Sequence, residues 1–199
     1  EILLRGSNLL KSYWQNPAAT EDAMVDGWFK TGDLGELDED GYLTITGRKK
    51  EMIVTAGGKN VAPTGLEDPL RGDPIIGQAV AVGDRQPFVG ALIFLDSEML
   101  PLWLANNQLD RNLTLEQASK EPKVLAEVQA AVDRVNKRFS KAEQIRKFVI
   151  VPAEIGEETG HLTPSLKIKR EKVLTDFDSY VQTLYDGHTA TGEIGIIAE

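Results

Sequence analysis

The sequence predicts an α+β protein in which a β-rich segment precedes a small domain with roughly three strands and flanking helices. Two observations support this class. Short apolar segments bounded by glycine-containing turns fill the first quarter of the chain and recur over residues 78–96. Residues 114–139 and 173–184 instead carry apolar side chains at the three- and four-residue spacing of helices.

The first quarter is predicted to be β-structure joined by turns. Residues 34–37 and 42–46 form a predicted hairpin, because the Asp-Glu-Asp-Gly sequence between them favours a turn. The polar residues 47–51 are the best candidate for a linker. A short strand at 52–54 and a glycine-containing loop at 56–60 are predicted to follow.

The rest of the chain predicts alternating strands and helices. Residues 63–67 open a short helix, and residues 79–82 and 88–95 form an antiparallel hairpin around a Gly-Asp-Arg-Gln-Pro turn. Thr114 and Gln117 have the spacing of a capping box, and Pro122 is expected to divide the following helical stretch in two. A further strand is predicted at 148–151.

Two helices are each predicted to bury one apolar stripe. The first stripe consists of Leu125, Val128, Val132, Val135 and Phe139. The second, on a single last helix, consists of Val173, Phe177, Val181 and Leu184. Residues 187–199 show no clear periodicity and are left unassigned.

Composition narrows the function classes. The chain has 22 Lys and Arg against 31 Asp and Glu, a net charge of −9, which disfavours a nucleic acid partner. It has no cysteine, which excludes disulfides, thiolate metal sites and a cysteine nucleophile. Its two histidines are too few for a histidine-rich metal site, so no metal ligands are predicted.

The termini and hydropathy bear on location. No apolar run approaches the roughly 20 residues that a membrane-spanning helix needs. The first residues lack the basic start and apolar stretch of a signal peptide, so a cytoplasmic protein is expected, with peripheral membrane contact left open. The chain begins without methionine, in a strand-like segment, and is therefore expected to be a fragment.

Three segments concentrate residues that could carry chemistry. In residues 27–35 glycines bracket Asp33, whose carboxylate could accept hydrogen bonds from two vicinal ribose hydroxyls or could simply be a solvated turn residue. Residues 47–61 combine Arg48, suited to ribose or phosphate, with a glycine pair that allows close approach of a ligand; an ordinary loop is the alternative.

The third segment, residues 161–170, is a basic stretch stiffened by Pro164. A lysine here could present its charge to a reacting carboxylate and phosphate, and Arg170 is expected to anchor the following helix. The alternative is a solvated basic surface, and His161 is expected to be an exposed loop residue.

In order and content, these segments resemble the adenylate-forming (AMP-binding) superfamily, and most of all its bacterial long-chain fatty acyl-CoA synthetases. The motifs lie at residues 3–14, 31–35, 47–67 and 162–170. The resemblance implies the C-terminal part of such an enzyme. Residues 1–49 would end its large N-terminal domain, 50–186 would form a mobile lid, and 187–199 would be a tail.

The resemblance also implies an activity. Family members use ATP and Mg²⁺ to convert a carboxylic acid, here a fatty acid, to an acyl-adenylate, and coenzyme A then displaces AMP. By this likeness, Asp33 binds the ribose hydroxyls and Arg48 adds a ribose or phosphate contact. Lys167 orients the carboxylate and stabilises charge at the α-phosphate.

Further residues are assigned by the same likeness. Lys50 is the hinge about which the lid rotates between the two half-reactions. In the rotated state, the coenzyme A channel is lined by Gly57, Gly58 and Lys59. The phosphate loop and acyl pocket of the family are not found in these residues, so the chain alone is not expected to make acyl-CoA.

The sequence departs from the family pattern in two places. Leu166 stands where much of the superfamily has glycine, an exception that long-chain synthetases commonly share. Val54 stands where some relatives carry a second functional lysine. Lys169 rivals Lys167, but Lys167-x-x-Arg170 keeps the family spacing. Two alternatives stay open: a fatty acyl-AMP ligase or carrier-protein loading enzyme, and a non-catalytic binding module.

Overall fold

The computed structural model describes residues 1–186 and the backbone of 194–196, so most of the predicted tail, 187–199, lies outside the described residues. The chain forms two compact units, which divide between Met52 and Ile53.

The first unit consists of two small antiparallel sheets and one helix. Its elements, in order, are β1 (Leu3–Leu4), α1 (Pro17–Asp22), β2 (Met24–Val25), β3 (Trp28–Lys30), β4 (Asp33–Leu37) and β5 (Leu43–Arg48). One sheet has the order β1-β3-β2, and β4 pairs with β5. The predicted hairpin is confirmed. The first quarter is β-rich as predicted, but helix α1 was not predicted. Asn16 caps α1 by accepting a hydrogen bond from the Ala19 amide, and Pro17 favours its first turn.

The first unit has almost no core of its own. Among residues 1–52, all of which are described, Gly47 alone is buried. Many of its large apolar side chains are exposed: Leu3, Leu4, Leu10, Tyr13, Trp14, Val25, Trp28, Leu37, Tyr42, Leu43 and Ile45. A single turn of 3₁₀ helix, Lys49–Glu51, follows β5 where the linker is predicted.

The second unit begins with a short hairpin and a helix and continues into a four-stranded sheet. Its elements before the last helices are β6 (Ile53–Val54), β7 (Asn60–Val61), α2 (Pro63–Leu70), β8 (Ile76–Val82), β9 (Val89–Leu95), α3 (Leu100–Asn106), α4 (Leu115–Ala118), α5 (Pro122–Asn136) and β10 (Ile145–Val151). The last elements are α6 (Arg170–Asp176), α7 (Asp178–Tyr185) and β11 (Ile194–Ile196).

The main sheet has the order β11-β10-β9-β8. The predicted hairpin is confirmed as β8 and β9, which pair antiparallel with Val80 opposite Leu92. β10 adds parallel to β9, and β11 adds a fourth strand, antiparallel to β10. Apolar clusters cover both faces: α2, α3 and α5 pack on one, and α6 and α7 on the other. Double burial explains why these strands are continuously apolar rather than alternating.

Two helix predictions need correction, and one helix was not predicted. The buried stripe of α5 includes Val124 rather than Leu125, which is half-buried. The single last helix is two helices, because Phe177 leaves the helical region at φ −112° and packs its ring against Phe94. Helix α3 was not predicted; it starts after Asp96, whose carboxylate accepts hydrogen bonds from the amides of Glu98 and Met99. The capping box at Thr114 and the division at Pro122 are confirmed.

Candidate functional site

Asp33 and Arg48 face each other across the β4–β5 hairpin. They occupy directly opposite register positions, and Arg48 Nε lies 2.9 Å from Asp33 Oδ1. The Asp33 side chain is 27% exposed and that of Arg48 58% exposed. The hairpin therefore brings together the two residues that were predicted, 15 positions apart, to contact one ribose.

The backbone around Asp33 is held by several hydrogen bonds. Gly32 has φ +76°, a conformation that favours glycine, and its amide donates to the Glu1 carboxylate. The Asp33 amide donates to Thr31 Oγ1 at 3.0 Å, and the Asp33 carbonyl accepts from the Ile2 amide at 2.8 Å. The carboxylate is thus presented from a fixed strand start, free to accept further hydrogen bonds from hydroxyl groups.

Lys50, the predicted hinge, lies in the 3₁₀ turn between β5 and the second unit and is exposed. Its neighbour Lys49 is tied to Glu1, with Nζ 3.0 Å from Oε2. The two compact units divide two residues after Lys50, at Met52 and Ile53. Its role as a pivot stays a prediction.

Gly57 and Gly58 form the turn between β6 and β7, and the two glycines differ. Gly58 has φ +77°, which favours glycine, and its amide donates to the Thr55 carbonyl at 2.8 Å. Gly57 has no such need: the atom nearest to an added Cβ is Thr55 Oγ1 at 3.9 Å. Nothing in the described chain requires Gly57 to lack a side chain. Lys59 follows, with Nζ 3.2 Å from Glu143 Oε1.

Lys167 lies on a tight hairpin whose two sides join at a bridge between Leu162 and Ile168. The Thr163 amide donates to the Lys167 carbonyl at 2.9 Å, and the Lys167 amide donates to Thr163 Oγ1 at 3.1 Å. The Lys167 side chain is exposed, and its ammonium forms no ion pair with any residue that the structure describes. A free charge is thus carried on a firmly bonded loop.

Leu166 explains why this position suits glycine. It has φ +59°, in the left-handed region, and its amide donates to the Thr163 carbonyl at 2.8 Å to close the turn. Pro164 occupies the second position of that turn, where its fixed φ is favourable. Leu166 therefore adopts, at some cost, a backbone conformation that glycine adopts freely.

His161 was expected to be exposed, and this was wrong. It is 6% exposed, its Nδ1 lies 2.8 Å from Thr159 Oγ1 and its Nε2 lies 3.0 Å from the Asp176 carboxylate. Its carbonyl accepts the Lys169 amide at 2.8 Å. Polar partners on both ring nitrogens satisfy the buried imidazole and connect the base of the Lys167 hairpin to α6.

Arg170, the first residue of α6, anchors that helix as predicted, and its main partner is Glu67 of α2. Arg170 Nη2 donates to both Glu67 oxygens, at 2.6 and 2.8 Å, and Nη1 donates to the Ala81 carbonyl at 2.9 Å. Burial raises the pKa of the Glu67 carboxyl, and the adjacent Arg170 guanidinium and Ala81 amide oppose that rise. Glu67 lies within one of the motifs recognised in the sequence, but no role was predicted for it. The one feature that could have indicated its ion pair is an acidic residue within an apolar helix face.

The described residues contain neither a membrane-spanning helix nor a three-residue metal group. No helix among them has both the length and the apolar character needed to cross a membrane. No three histidine, aspartate or glutamate side chains within that part of the chain are grouped so as to hold a metal ion.

The sequence is similar to curated long-chain fatty acid ligases. It is 52% identical over 186 residues to the long-chain-fatty-acid–CoA ligase FadD15 of Mycobacterium tuberculosis, covering 94% of this chain and 31% of that protein. It is 34% identical over 213 aligned positions to the long-chain-fatty-acid–CoA ligase ACSBG2 of Gallus gallus, covering 96% of this chain and 28% of that protein. The chain spans about a third of the length of these relatives.

Solved structures show the same fold at low identity. The A domain of carboxylic acid reductase from Segniliparus rugosus, in complex with AMP, superposes with a TM-score of 0.75 at 19% identity, covering 92% of this chain and 27% of that one. Residues 50–189 match the family described as the AMP-binding enzyme C-terminal domain. Since that match takes in the Gly57 loop, the Lys167 hairpin and the sheet that supports both, the chain belongs to the family of AMP-binding enzyme C-terminal domains.

Proposed function

We propose that the chain is the C-terminal part of an AMP-forming long-chain fatty acid–CoA ligase. In the first step a fatty acid carboxylate oxygen attacks the α-phosphorus of ATP and displaces pyrophosphate. In the second, the sulfur of coenzyme A, having lost its proton, attacks the acyl carbon and displaces AMP. The observation that carries the proposal is the 52% identity, over nearly the whole chain, to a protein named as such a ligase.

Within this proposal, residues 1–49 end the large N-terminal domain and residues 50–186 form the mobile lid. The exposed apolar residues of the first unit favour this division, because a segment with one buried residue among 52 needs other chain to cover it. Lys50 would act as the pivot, in a short turn where few dihedral angles need to change.

Asp33 and Arg48 would bind the ribose of ATP and of the acyl-adenylate. The carboxylate would accept hydrogen bonds from two vicinal hydroxyls, while the guanidinium, held 2.9 Å away, would donate to a ribose or phosphate oxygen. This chain offers no three-residue metal group among its described residues, so Mg²⁺ would enter with the phosphates of ATP. We place the reaction in the cytoplasm, with peripheral membrane contact left open.

Lys167 would act in adenylation and the Gly57 loop in thioester formation. The Lys167 ammonium has no ion pair among the described residues, so none has to break before it stabilises the negative charge that develops at the α-phosphate. Gly57 and Gly58, with open space where side chains would stand, would let the pantetheine arm pass, and Lys59 would border this channel. One lid could therefore serve the two half-reactions with two different surfaces.

The test is Lys167→Ala in the full-length enzyme, with each half-reaction measured separately. We expect adenylate formation to fall about 10²- to 10³-fold, as for removal of one charge-stabilising donor. Thioester formation from supplied acyl-adenylate should be retained. Lys169→Ala is the matched control, because Lys169 is also an exposed lysine of the same segment. Equal loss of both half-reactions in Lys167→Ala would refute the assignment.

The acceptor is tested with the same full-length enzyme. Free coenzyme A and a carrier protein bearing phosphopantetheine are offered in parallel to the acyl-adenylate. We expect transfer to free coenzyme A. Transfer to the carrier alone would replace the ligase with a carrier-loading enzyme.

A further inference from the structure

The Glu67–Arg170 ion pair lies against the free edge of β8, which is an edge strand of the main sheet. Ala81 faces Ala91 of β9 on one side. On the other side its amide donates to Glu67 Oε1 at 2.7 Å, and its carbonyl accepts from Arg170 Nη1 at 2.9 Å. One acidic and one basic side chain thus take the place that a neighbouring strand's backbone would take at this position.

The pair needs both members. Glu67 is 5% exposed and the Arg170 side chain 18% exposed, so neither charge is well solvated. Arg170 Nε is buried without a hydrogen-bond partner in the described structure, which leaves the two terminal nitrogens to hold the guanidinium. Because Nη2 contacts both oxygens of Glu67, a neutral residue at position 67 would leave a largely buried positive charge uncompensated.

Arg170 follows Lys167 by three residues, and the segment between them is bonded throughout. Ile168 forms the bridge to Leu162, and the Lys169 amide donates to the His161 carbonyl. Arg170 then begins α6 with its side chain fixed on α2 and β8. The end of the Lys167 hairpin is therefore attached to α2 and β8 through the Arg170 guanidinium, beside the packing of Ile168 on the face of the sheet that α6 covers. Because Glu67 is the only acid bonded to that guanidinium in the described structure, a loss of its charge would shift Arg170 and, with it, the hairpin.

We infer that Glu67 is a positioning residue for adenylation: through Arg170 it holds the Lys167 hairpin at the place from which the ammonium reaches the reacting phosphate. The inference rests on the function proposed for Lys167. Glu67 touches neither substrate nor product in this account. Its effect on the rate arises because a displacement of about 1 Å at a reacting group can cost about 10²-fold.

The experiment is Glu67→Gln in the full-length enzyme. Glutamine keeps the size of the side chain and an oxygen for the Ala81 amide but loses the charge that holds Arg170. We expect adenylate formation to fall about 10- to 10²-fold, with thioester formation from supplied acyl-adenylate retained. Loss of both half-reactions to the same extent, or of neither, would overturn the inference.

The chain offers a matched control in Asp73→Asn. Asp73 is also a buried acid, with its side chain 2% exposed and its carboxylate 2.5 Å from Arg134, but this pair joins α5 to the start of the sheet rather than to the hairpin. We expect Asp73→Asn to lower the unfolding temperature as Glu67→Gln does, while adenylation is retained. Equal slowing of adenylation in both variants would mean a general effect of destabilisation and would overturn the inference.

A double-mutant cycle separates the inference from the function on which it rests. If Glu67 acts through Lys167, Glu67→Gln should slow adenylation little further in a Lys167→Ala background. Full additivity would overturn the inference alone. Normal adenylation in Lys167→Ala would instead refute the proposed function, and the inference with it. If Glu67→Gln does not yield folded enzyme, Arg170→Lys is tested in the same cycle, because lysine lacks the second terminal nitrogen with which Arg170 reaches the Ala81 carbonyl while it contacts Glu67.

Discussion

Leu166 holds a left-handed backbone conformation immediately before Lys167, with φ +59° and a side chain that is 66% exposed. A leucine in this region costs roughly 1–2 kcal/mol, and a β-branched residue costs more because its Cβ substituents crowd the backbone. We therefore expect Leu166→Val to lower the free energy of unfolding by about 1–2 kcal/mol. Leu166→Gly should be close to neutral, since relief of strain is offset by a more flexible unfolded chain.

Chemical denaturation of the two variants and the wild-type chain measures this difference. Leu102→Val is the control, because Leu102 is a similarly exposed leucine, in α3. If Leu166→Val and Leu102→Val have the same effect, the turn at Leu166 is not under strain.

Asp176 is bonded by the Lys172 ammonium and the His161 ring, and this predicts a pH dependence of stability. The pKa of Asp176 is lowered mainly by the hydrogen bond from Lys172 and, to a smaller extent, by the hydrogen bond with His161. A carboxyl whose pKa is lower in the folded state stabilises the fold above its unfolded pKa of about 4, and this contribution is lost as the pH falls through the folded value. The effect should therefore lie in the acid range, below about pH 4.

Asp176→Asn provides the measurement. The variant should have a lower unfolding temperature than wild type at neutral pH, and the difference should shrink as the pH is reduced toward 3. Asp178→Asn, at the start of α7, is the control outside the His161 contact. A difference that stays constant with pH would show that the loss is not electrostatic.

For single residues, the candidate site residues could be predicted from the sequence, but the residues that they contact could not. Asp33 and Arg48 were both singled out, and their direct opposition follows from the hairpin register, which a shift of one residue would have changed. His161 was misjudged because its burial depends on Thr159, Asp176 and Phe177, and no local pattern brings all three to the ring. Long-range pairs such as Glu67 with Arg170 have no local signature at all.

Among the elements, α5 shows that apolar periodicity predicts a helix but does not decide which of two neighbouring residues is buried. Val124 and Leu125 both precede Val128 at helical spacing, yet Val124 is fully buried and Leu125 only half-buried. We expect Val124→Ala to lower the free energy of unfolding by about 2 kcal/mol, from two buried methyl groups and the space they leave. Leu125→Ala should cost less, although it removes a larger side chain.

Thermal or chemical unfolding of these two variants compares neighbouring positions in one helix. The gain in helix propensity is larger for Val124→Ala than for Leu125→Ala, so it works against the expected difference. A larger loss for Leu125→Ala than for Val124→Ala would mean that the helix is rotated from the orientation described.

The elements that were missed share a physical cause. Helices α1 and α3 are short, with six and seven residues, and neither carries an extended apolar stripe. α1 starts with the Asn16 cap and Pro17, and α3 starts after the turn at Asp96, with a proline in its first turn. The break between α6 and α7 occurs at Phe177, whose ring packs on Phe94 of β9, so tertiary contact overrides an otherwise continuous period. Strands β8 to β10 were predicted because both of their faces are buried and their apolar runs are long.

On the scale of the whole molecule, the two units contrast in what they bury. The second unit contains every apolar residue of the buried core from Ile53 to Leu184, whereas the first contributes only Gly47 to the buried residues. The candidate residues are distributed over both units: Asp33 and Arg48 belong to the first, and Lys167 belongs to the second. The second unit therefore has a packed core of its own, whereas the β4–β5 hairpin of the first has little packing.

The sparse packing of the first unit predicts that the isolated 199-residue chain binds nucleotide weakly. Asp33 and Arg48 already neutralise each other, so AMP would have to compete with their ion pair for only a few contacts. We expect isothermal titration of AMP or ATP into the chain to show a Kd weaker than about 1 mM, corresponding to less than about 4 kcal/mol of binding free energy. The full-length enzyme should bind more tightly, and Asp33→Ala should weaken its binding. Micromolar binding of AMP by the chain alone would instead favour a self-contained nucleotide-binding module.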